Sequence, residues 1–263
     1  MTIKVYSPNQ QVLEAYDRGK IDVQKPIGFP HQDSVVRRVG PLFYWSWAYT
    51  KTEGGIGLHP HQGFEIMTYV INGQLTHGDT LGTKSTVGTG GVQVMQTGSG
   101  VSHEESVKGP DAEMFQIWLE PHLSQALKRV PTYAEYQNEH FPVSSPAQGV
   151  HVKTLIGEGA PIHLVTDAKM WDMTVEPGRA HEQVVPAGFS WAALAIRGNG
   201  SWMDVSAGSE SSSVPFVHRD FNVIDAGGTD KRIKLRNDAD APLRVFMIEV
   251  PTTVDYPLYN KGR

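Results

Sequence analysis

The sequence predicts an all-β protein built from antiparallel sandwiches or barrels. Its 27 Gly and 17 Pro among 263 residues are dispersed along the chain, as in folds with many tight turns. Short β-type runs follow one another closely, without helical patterns of 10–15 residues between them, which favours antiparallel pairing. A chain of this length can bury one large core or two cores of ordinary domain size.

The first half of the chain contains the predicted strands of a first domain. An aromatic run at residues 42–49 predicts a buried strand. Further strands are predicted at residues 65–71, 73–76, 92–97 and 114–119. Asn72-Gly73 predicts a hairpin between the first two of these. Residues 122–136 show helical spacing that Pro131 interrupts, so we expect a short helix followed by a connector.

The second half repeats the β pattern and predicts a second domain. Strands are predicted at residues 150–156, 170–175, 191–196, 201–205, 222–225, 232–236 and 244–250. Residues 206–213 are rich in Ser and Gly and predict a flexible surface loop. The domain boundary is expected within residues 141–146. We therefore assign residues 1–141 to the first domain and residues 142–263 to the second.

An internal repeat relates the two halves. Gly63-Phe64 is followed by Gly73, and Gly188-Phe189 is followed at the same distance by Gly198, an offset of 125 (188 − 63). Residues 94–98 resemble residues 223–227, an offset of 129 (227 − 98). Two matches in the same order, with offsets four residues apart, predict a duplicated β domain with one small insertion.

Two pairs of potential metal ligands lie at the ends of one stretch of the first half. His59 and His61 are two residues apart, as are His103 and Glu105, so each pair faces one side of a strand. Three imidazoles and one carboxylate suit divalent Fe, Mn, Co, Ni, Cu or Zn. Glu65 would face the same side as His59 and His61 if one regular strand continued to residue 65. It is thus an alternative carboxylate ligand, or a group that orients a ligating histidine.

The repeat predicts that only the first domain binds a metal. The first offset places His59, His61 and Glu65 opposite Val184, Pro186 and Ser190. The second offset places His103 and Glu105 opposite Arg232 and Lys234. Apolar groups and cations cannot replace these ligands, so residues 142–263 are expected to form a degenerate domain without metal. His181 is expected to be a polar histidine that binds no metal.

Composition and charge exclude several classes of function. The chain has no Cys, which excludes disulfides and thiolate sites and is compatible with a reducing cytoplasm, where we expect this protein. Its first residues lack the pattern of a signal peptide, and no apolar run is long enough to cross a bilayer. The net charge of −5 is made up of scattered charges of both signs, so direct nucleic-acid binding is not expected.

The stretch between the ligand pairs resembles the pirin family of the cupin superfamily. The resemblance rests on the motifs His59–Glu65, Thr68-Tyr69-Val70, His77-Gly78-Asp79, His103-x-Glu105 and Gln116-Ile117-Trp118. It implies two jelly-roll-type β-barrel cupin domains joined by a short helix. It also implies one metal ion, usually iron, in the first domain. The family pattern places the ligands at His59, His61, His103 and Glu105.

The resemblance implies a quercetin 2,3-dioxygenase type of activity. Iron(II) would be bound in the first domain, and a flavonol such as quercetin would react with O₂ and undergo ring opening. Glu105 or Glu65 would accept the enol proton. The alternative is a metal- or redox-responsive regulatory protein that binds a transcription factor or a metabolic enzyme. A third hypothesis is a metal site that only stabilises the fold.

Overall fold

The computed structural model describes residues 2–206 and 212–261, and in this part of the chain nearly all regular structure is β. The strands, in chain order, are β1 (Thr2–Tyr6), β2 (Val12–Tyr16), β3 (Ile21–Ile27), β4 (Leu42–Thr50), β5 (Glu53–His61), β6 (Glu65–Asp79), β7 (Lys84–Gly88), β8 (Val92–Gln96), β9 (Val101–Leu119), β10 (Thr132–Tyr136), β11 (Val143–Ala147), β12 (Val150–Ile156), β13 (Lys169–Val175), β14 (Ala180–Val185), β15 (Phe189–Arg197), β16 (Gly200–Asp204), β17 (Val214–Phe216), β18 (Phe221–Asp225), β19 (Lys231–Arg236) and β20 (Leu243–Pro251). One α-helix, α1 (Leu123–Ala126), and 3₁₀ turns at Pro8–Gln10, Asp17–Gly19 and Asn138–His140 complete the described elements. The predicted all-β class is confirmed.

The chain divides into two compact units that exchange their terminal segments. The first unit comprises Gln10–His140 and Asp255–Arg263, and the second comprises Met1–Asn9 and Phe141–Val254. The boundary after residue 140 lies beside the predicted one, but the simple ranges 1–141 and 142–263 miss both ends of the chain. The N-terminal segment joins the second unit because β1 pairs with β18 over its whole length.

The first unit is organised around two long strands. Its sheet has the order β10-β8-β6-β9-β4-β3-β2, with β5 added on β9 and β7 on β6. One apolar cluster lies between the sheet layers near the start of β6, at Phe43, Tyr44, Ile66, Met95, Val101 and Trp118. A second cluster lies further along the same strands, at Val70, Leu75, Val87, Val107, Ala112 and Met114. Burial of these side chains stabilises the bent sheet.

Asn72-Gly73 does not form the predicted hairpin, because β6 runs through it as one strand of 15 residues. The pairing of β6 with β9 shifts register on both sides of Asn72, so the dipeptide forms a bulge. Gly73 has a φ of 91°, and a Cβ there would lie 2.7 Å from the Cβ of Ala112. The Asn72 side chain donates hydrogen bonds to the carbonyls of Pro110 and Asp111. The turn-forming residues therefore bend the two strands together instead of reversing the chain.

The helix predicted within residues 122–136 is short, as expected, but its second half is a strand. Only Leu123–Ala126 is α-helical, and β10 begins directly after Pro131. β10 then pairs antiparallel with β8 over five residues. The local helical spacing fails here because pairing with a neighbouring strand overrides weak propensity. No helix of the described residues is long and apolar enough to cross a membrane.

The second unit contains every strand predicted for it, together with several that the sequence analysis missed. Its sheets have the orders β1-β18-β15-β20-β13-β12-β11 and β14-β19-β16-β17. One large cluster of its buried residues includes Trp191 and Trp202. The predicted loop at residues 206–213 lies mostly outside the described residues.

The C-terminal segment Asp255–Arg263 is anchored to the first unit by a buried lysine. Lys261 is 5% exposed, and its Nζ donates to the carbonyls of Gly28 (2.7 Å), Arg37 (2.7 Å) and Phe43 (2.6 Å). Three acceptors satisfy the three donors of an ammonium group. Its Nζ also lies 4.3 Å from the centroid of the Phe43 ring, a cation–π contact. The tail is thus part of the core of this unit.

Candidate metal centre

Three histidines converge inside the first unit. His59 and His61 lie on β5, and β5 pairs with β9 so that His59 is directly opposite His103. The Nε2 atom of His103 lies 3.0 Å from that of His61 and 3.1 Å from that of His59. Within the described residues, these three side chains form the one group of potential ligands whose donor atoms all lie within 4.8 Å of one another.

The environment of the cluster keeps the imidazoles of His61 and His103 neutral. Burial, together with the neighbouring His59, lowers the pKa of His61 from 6.5 to about 4. Burial and the adjacent histidines, His61 first, lower the pKa of His103 to about 2. A neutral imidazole has a lone pair available for a metal ion, whereas a protonated one has none. The site is therefore ready to bind a cation at neutral pH.

Hydrogen bonds on the far side of the rings orient the lone pairs. The Nδ1 of His59 lies 2.8 Å from the carbonyl oxygen of Gly57, to which it donates. The Nδ1 of His103 lies 3.5 Å from the Nδ1 of His77, and the Nε2 of His77 lies 2.9 Å from a carboxylate oxygen of Asp79. With protons on the Nδ1 atoms of His59 and His103, the Nε2 atoms of these two rings carry lone pairs.

The donor set fits a divalent metal ion. Three lone pairs that point at a common centre repel one another unless a cation lies between them. Nitrogen ligands at right angles, with bonds of about 2.1 Å, are separated by about 3.0 Å, which matches the spacing seen here. Imidazole ligands suit Fe, Ni, Cu and Zn, and a neighbouring carboxylate extends the range to Mn and Co.

Glu105 lies beside this cluster as a buried carboxylate. It faces the same side of β9 as His103, and it is 5% exposed. Its Oε1 accepts from Gln93 at 2.6 Å and from Thr68 at 3.2 Å, and its Oε2 accepts from Gln116 at 2.7 Å. Burial raises its pKa. Its oxygens fall outside the group of converging ligand atoms, so its role as fourth ligand stays a prediction.

Glu65 points away from the cluster. β5 ends at His61, and Gly63, with a φ of 81°, turns the chain into a new strand. Glu65 was expected to face the same side as His59 and His61 on one regular strand, but it lies on a different strand. β6 pairs with β9 without a break between Glu65 and Thr68, so these two side chains lie on opposite faces. Thr68 contacts Glu105, while Glu65 accepts a hydrogen bond from Gln96 at 2.7 Å.

His77 and Asp79 belong to the family motif His77-Gly78-Asp79 and have no role predicted from the sequence. His77 is 1% exposed and lies directly opposite Glu105 in the pairing of β6 with β9. Asp79 lies directly opposite His103 in the same pairing. The signal was present in the sequence, since a His-x-Asp pair on a strand faces one side, like the two ligand pairs. Its relation to His103 depends on strand register, which the sequence does not give.

We expect Asp79→Asn to weaken metal binding by about 10- to 100-fold, because Asp79 accepts the hydrogen bond that fixes the His77 tautomer. The measurement is a metal titration of the metal-free protein followed by calorimetry. Asp255→Asn, an equally conservative change in the C-terminal segment, is the control. Equal affinity in the Asp79→Asn variant and the wild type would remove Asp79 from the support of the site.

The cluster is bounded by aromatic side chains on one side and a recess on the other. The Trp118 ring lies edge-on to His61, with centroids 4.7 Å apart, and Phe43 and Phe64 pack around Trp118. An open recess of about 550 Å³ reaches His61 and is lined by Pro60, His61, Gln62, Thr80, Gly100, Val101 and Ser102. This recess gives a small molecule access to His61.

Stability of the metal-free protein is expected to fall as the pH is lowered from 6.5 towards 4. The unfolded chain takes up protons near pH 6.5, whereas folded His61 resists protonation down to about pH 4 and His103 to about pH 2. Below pH 6.5 the unfolded state therefore binds more protons, and unfolding becomes easier. Melting temperatures between pH 7.5 and 4.5 test this. The decline should be shallower in His61→Ala, and an equal slope in both proteins would contradict the assignment.

Strand pairing gives a corrected correspondence between the two units. Asp79 opposes His103 in the first unit, and Asp204 opposes Ile233 in the second, with an offset of 125 (204 − 79). If Asp79 corresponds to Asp204, His103 and Glu105 correspond to Ile233 and Leu235. His59 lies opposite His103 and Gln183 lies opposite Ile233, so His59 and His61 correspond to Gln183 and Val185. The predicted counterparts were Val184, Pro186, Arg232 and Lys234. Each was wrong by one residue, which turns a side chain to the opposite face.

Comparison with known proteins agrees with the motifs. A family model described as Pirin matches residues 40–119. A pirin-like protein of Arabidopsis thaliana is 32% identical over 200 residues, which cover 74% of this chain and 70% of that protein. The chain belongs to the pirin family. The resemblance seen in the sequence motifs is thereby confirmed.

Solved structures show that this pirin has a fold of two cupin domains. The crystal structure of a quercetin 2,3-dioxygenase from Acinetobacter baumannii aligns with a TM-score of 0.77 at 21% identity, over 98% of this chain and 89% of that one. The bacterial pirin YhhW from Escherichia coli, in complex with nickel(II), aligns with a TM-score of 0.74 at 19% identity, over 95% of this chain and 99% of that one. The predicted two-domain cupin architecture is thus confirmed.

Proposed function

We propose that this pirin is an iron(II)-dependent dioxygenase that opens the ring of quercetin-like flavonols. The convergence of three imidazoles beside a buried carboxylate carries this proposal. Support also comes from the fold shared with the quercetin 2,3-dioxygenase of A. baumannii. Iron is favoured by the family resemblance, and nickel(II) in the related YhhW shows that the choice of ion needs measurement.

In this proposal His59, His61 and His103 hold the ion, and Glu105 lies beside it as fourth ligand or base. A divalent ion held there would supply Lewis-acid chemistry towards an anionic oxygen ligand. The ligand set holds at most one negative charge, so the site stays net positive and attracts the enolate form of a flavonol. Aromatic rings around His61 exclude water from one side, which strengthens this attraction.

Glu105 is the group proposed to accept the proton of the flavonol hydroxyl. Burial raises its pKa, which brings the carboxylate closer to the operating pH and makes it a better base. Gln93 and Gln116 hold the two oxygens in place by donating one hydrogen bond to each. The Trp118 Nε1 donates to the Gln116 side chain at 3.2 Å and so holds the amide that donates to Glu105.

Anaerobic reconstitution tests this function. The metal-free protein is loaded in separate samples with Fe(II), Mn(II), Co(II), Ni(II) or Cu(II), and metal content is measured before each assay. O₂ uptake and release of CO from quercetin are then followed together. Turnover in the iron-loaded sample, above a sample without metal, is the expected result. Full metal occupancy without turnover in any sample would overturn the proposed activity.

A further inference from the structure

Tyr133 on the edge strand β10 contacts both groups of residues that support the candidate metal centre. Its ring stacks on His77, with centroids 4.3 Å apart and planes inclined by 20°. Its hydroxyl is hydrogen-bonded to Ser85, and the Oε1 of Gln93 at 3.4 Å and a carboxylate oxygen of Glu135 at 3.5 Å are alternative acceptors for its single proton. The side chain therefore has an apolar contact and a polar contact with different partners.

The polar contact leads to the carboxylate. Gln93 donates from Nε2 to Glu105 at 2.6 Å and to Thr68 at 3.3 Å, so its Oε1 is left to accept from Tyr133. Glu105 and the Tyr133 hydroxyl favour the same orientation of the Gln93 amide, with its Nε2 towards the carboxylate and its Oε1 towards the hydroxyl. If the amide turned over, its oxygen would face the carboxylate, and two acceptors would repel each other.

The stacking contact leads to the histidine ligand. The His77 ring lies between Tyr133 on one side and His103 on the other, and Asp79 holds its Nε2. Parallel stacking restricts rotation of the His77 ring. That restriction keeps the Nδ1 of His77 within 3.5 Å of the Nδ1 of His103.

We propose that Tyr133 is a positioning residue that orients Glu105 through Gln93 and His103 through His77. The proposal rests on the metal site assigned above, and it names a residue outside the ligand set. Tyr133 lies on β10, which follows β9 and α1 in the chain and carries none of the predicted metal ligands. Its proposed role is therefore to orient residues of the site without binding the metal.

The same strand carries a matched arrangement on its other face. Thr132 donates to the Oε1 of Gln96 at 3.0 Å, and Gln96 donates to Glu65 at 2.7 Å. Each of these two neighbouring residues of β10 thus begins a series of hydrogen bonds that runs from a hydroxyl to a glutamine and then to a glutamate. The hydrogen bonds from Tyr133 lead to Glu105, which lies beside the histidines, whereas those from Thr132 lead to Glu65. Thr132→Val is therefore a control for loss of a hydroxyl from this strand.

Cobalt(II) titration of the metal-free protein, followed by visible absorption, tests the proposal. Tyr133→Phe keeps the stacking and loses the hydroxyl, and we expect cobalt binding about 3- to 10-fold weaker with shifted absorption bands. Tyr133→Leu loses both contacts, and we expect a loss of about 10- to 100-fold. Gln93→Met, which leaves Tyr133 in place, also removes the hydrogen bond to Glu105 itself, so it should weaken cobalt binding at least as much as Tyr133→Phe does. Thr132→Val should bind cobalt like the wild type.

The results separate the role of Tyr133 from the metal site itself. If the wild type binds no cobalt, the metal site is wrong and the proposal falls with it. If the wild type binds cobalt and both Tyr133 variants match its affinity and spectrum, Tyr133 has no positioning role. Melting of the metal-free proteins is measured in parallel, because a purely structural residue would lower the melting temperature without changing the cobalt spectrum.

Discussion

Replacing His61 by alanine is expected to remove almost all bound metal. His61 supplies one of three nitrogen donors that lie within 4.8 Å of one another, its Nε2 is 3.0 Å from that of His103, and the recess opens on it. A four-ligand site binds with about 10–16 kcal/mol, so one ligand contributes roughly 3 kcal/mol, or about a hundredfold in affinity. Elemental analysis after dialysis should show about one ion per wild-type chain and far less than one in the variant.

His181→Ala is the control for this change. His181 also lies on a strand and is also partly buried, and burial lowers its pKa as it does that of His61. It belongs to the second unit, where no metal is predicted, so its removal should leave metal content unchanged. A His61→Ala protein that retains one ion per chain would show that the site has been assigned to the wrong residues.

Glu105→Gln is expected to lower kcat by about 10²- to 10⁴-fold, the usual contribution of a general base. Glutamine has nearly the same shape but cannot accept the substrate proton. Two amides, Gln93 and Gln116, already donate to Glu105, so the new side chain can satisfy only one of them well. Turnover of quercetin by the iron-loaded variant, with iron content determined in the same samples, gives the effect per bound ion.

Glu65→Gln is the informative comparison. The structure places Glu65 on the opposite face of β6, where Gln96 is its partner, so turnover per ion should change less than about twofold, as for substitutions remote from the reacting groups. A large loss in Glu65→Gln together with wild-type turnover in Glu105→Gln would reverse the roles proposed for the two carboxylates. Loss of iron from Glu105→Gln would instead identify Glu105 as a ligand.

The sequence was sufficient where the information is local. Alternating strands and their turn residues predicted the all-β class, and the two-residue spacing of His59 and His61 predicted that they face one side. His103 followed from the same rule and from the family pattern. These inferences need only the geometry of a single strand, and the structure brings the three histidines together.

Information that depends on the partner strand was not available from the sequence. Whether Asn72-Gly73 reverses or bends the chain depends on β9, which bends with β6 at that point. Glu65 was misplaced because one positive φ at Gly63 separates two strands that read as one. The second unit's counterparts were wrong by one residue, since register is set by pairing and not by sequence offset.

The exchange of terminal segments makes the chain pass between the two units three times, at residues 9–10, 140–141 and 254–255. A protease that cuts once, after His140, therefore leaves two fragments that each contain a piece of both units. The smaller pieces stay bound through the pairing of β1 with β18 and through Lys261. A nicked protein should consequently migrate as one species under native conditions. The unit that contains the three histidines is thus completed by a segment from the far end of the chain.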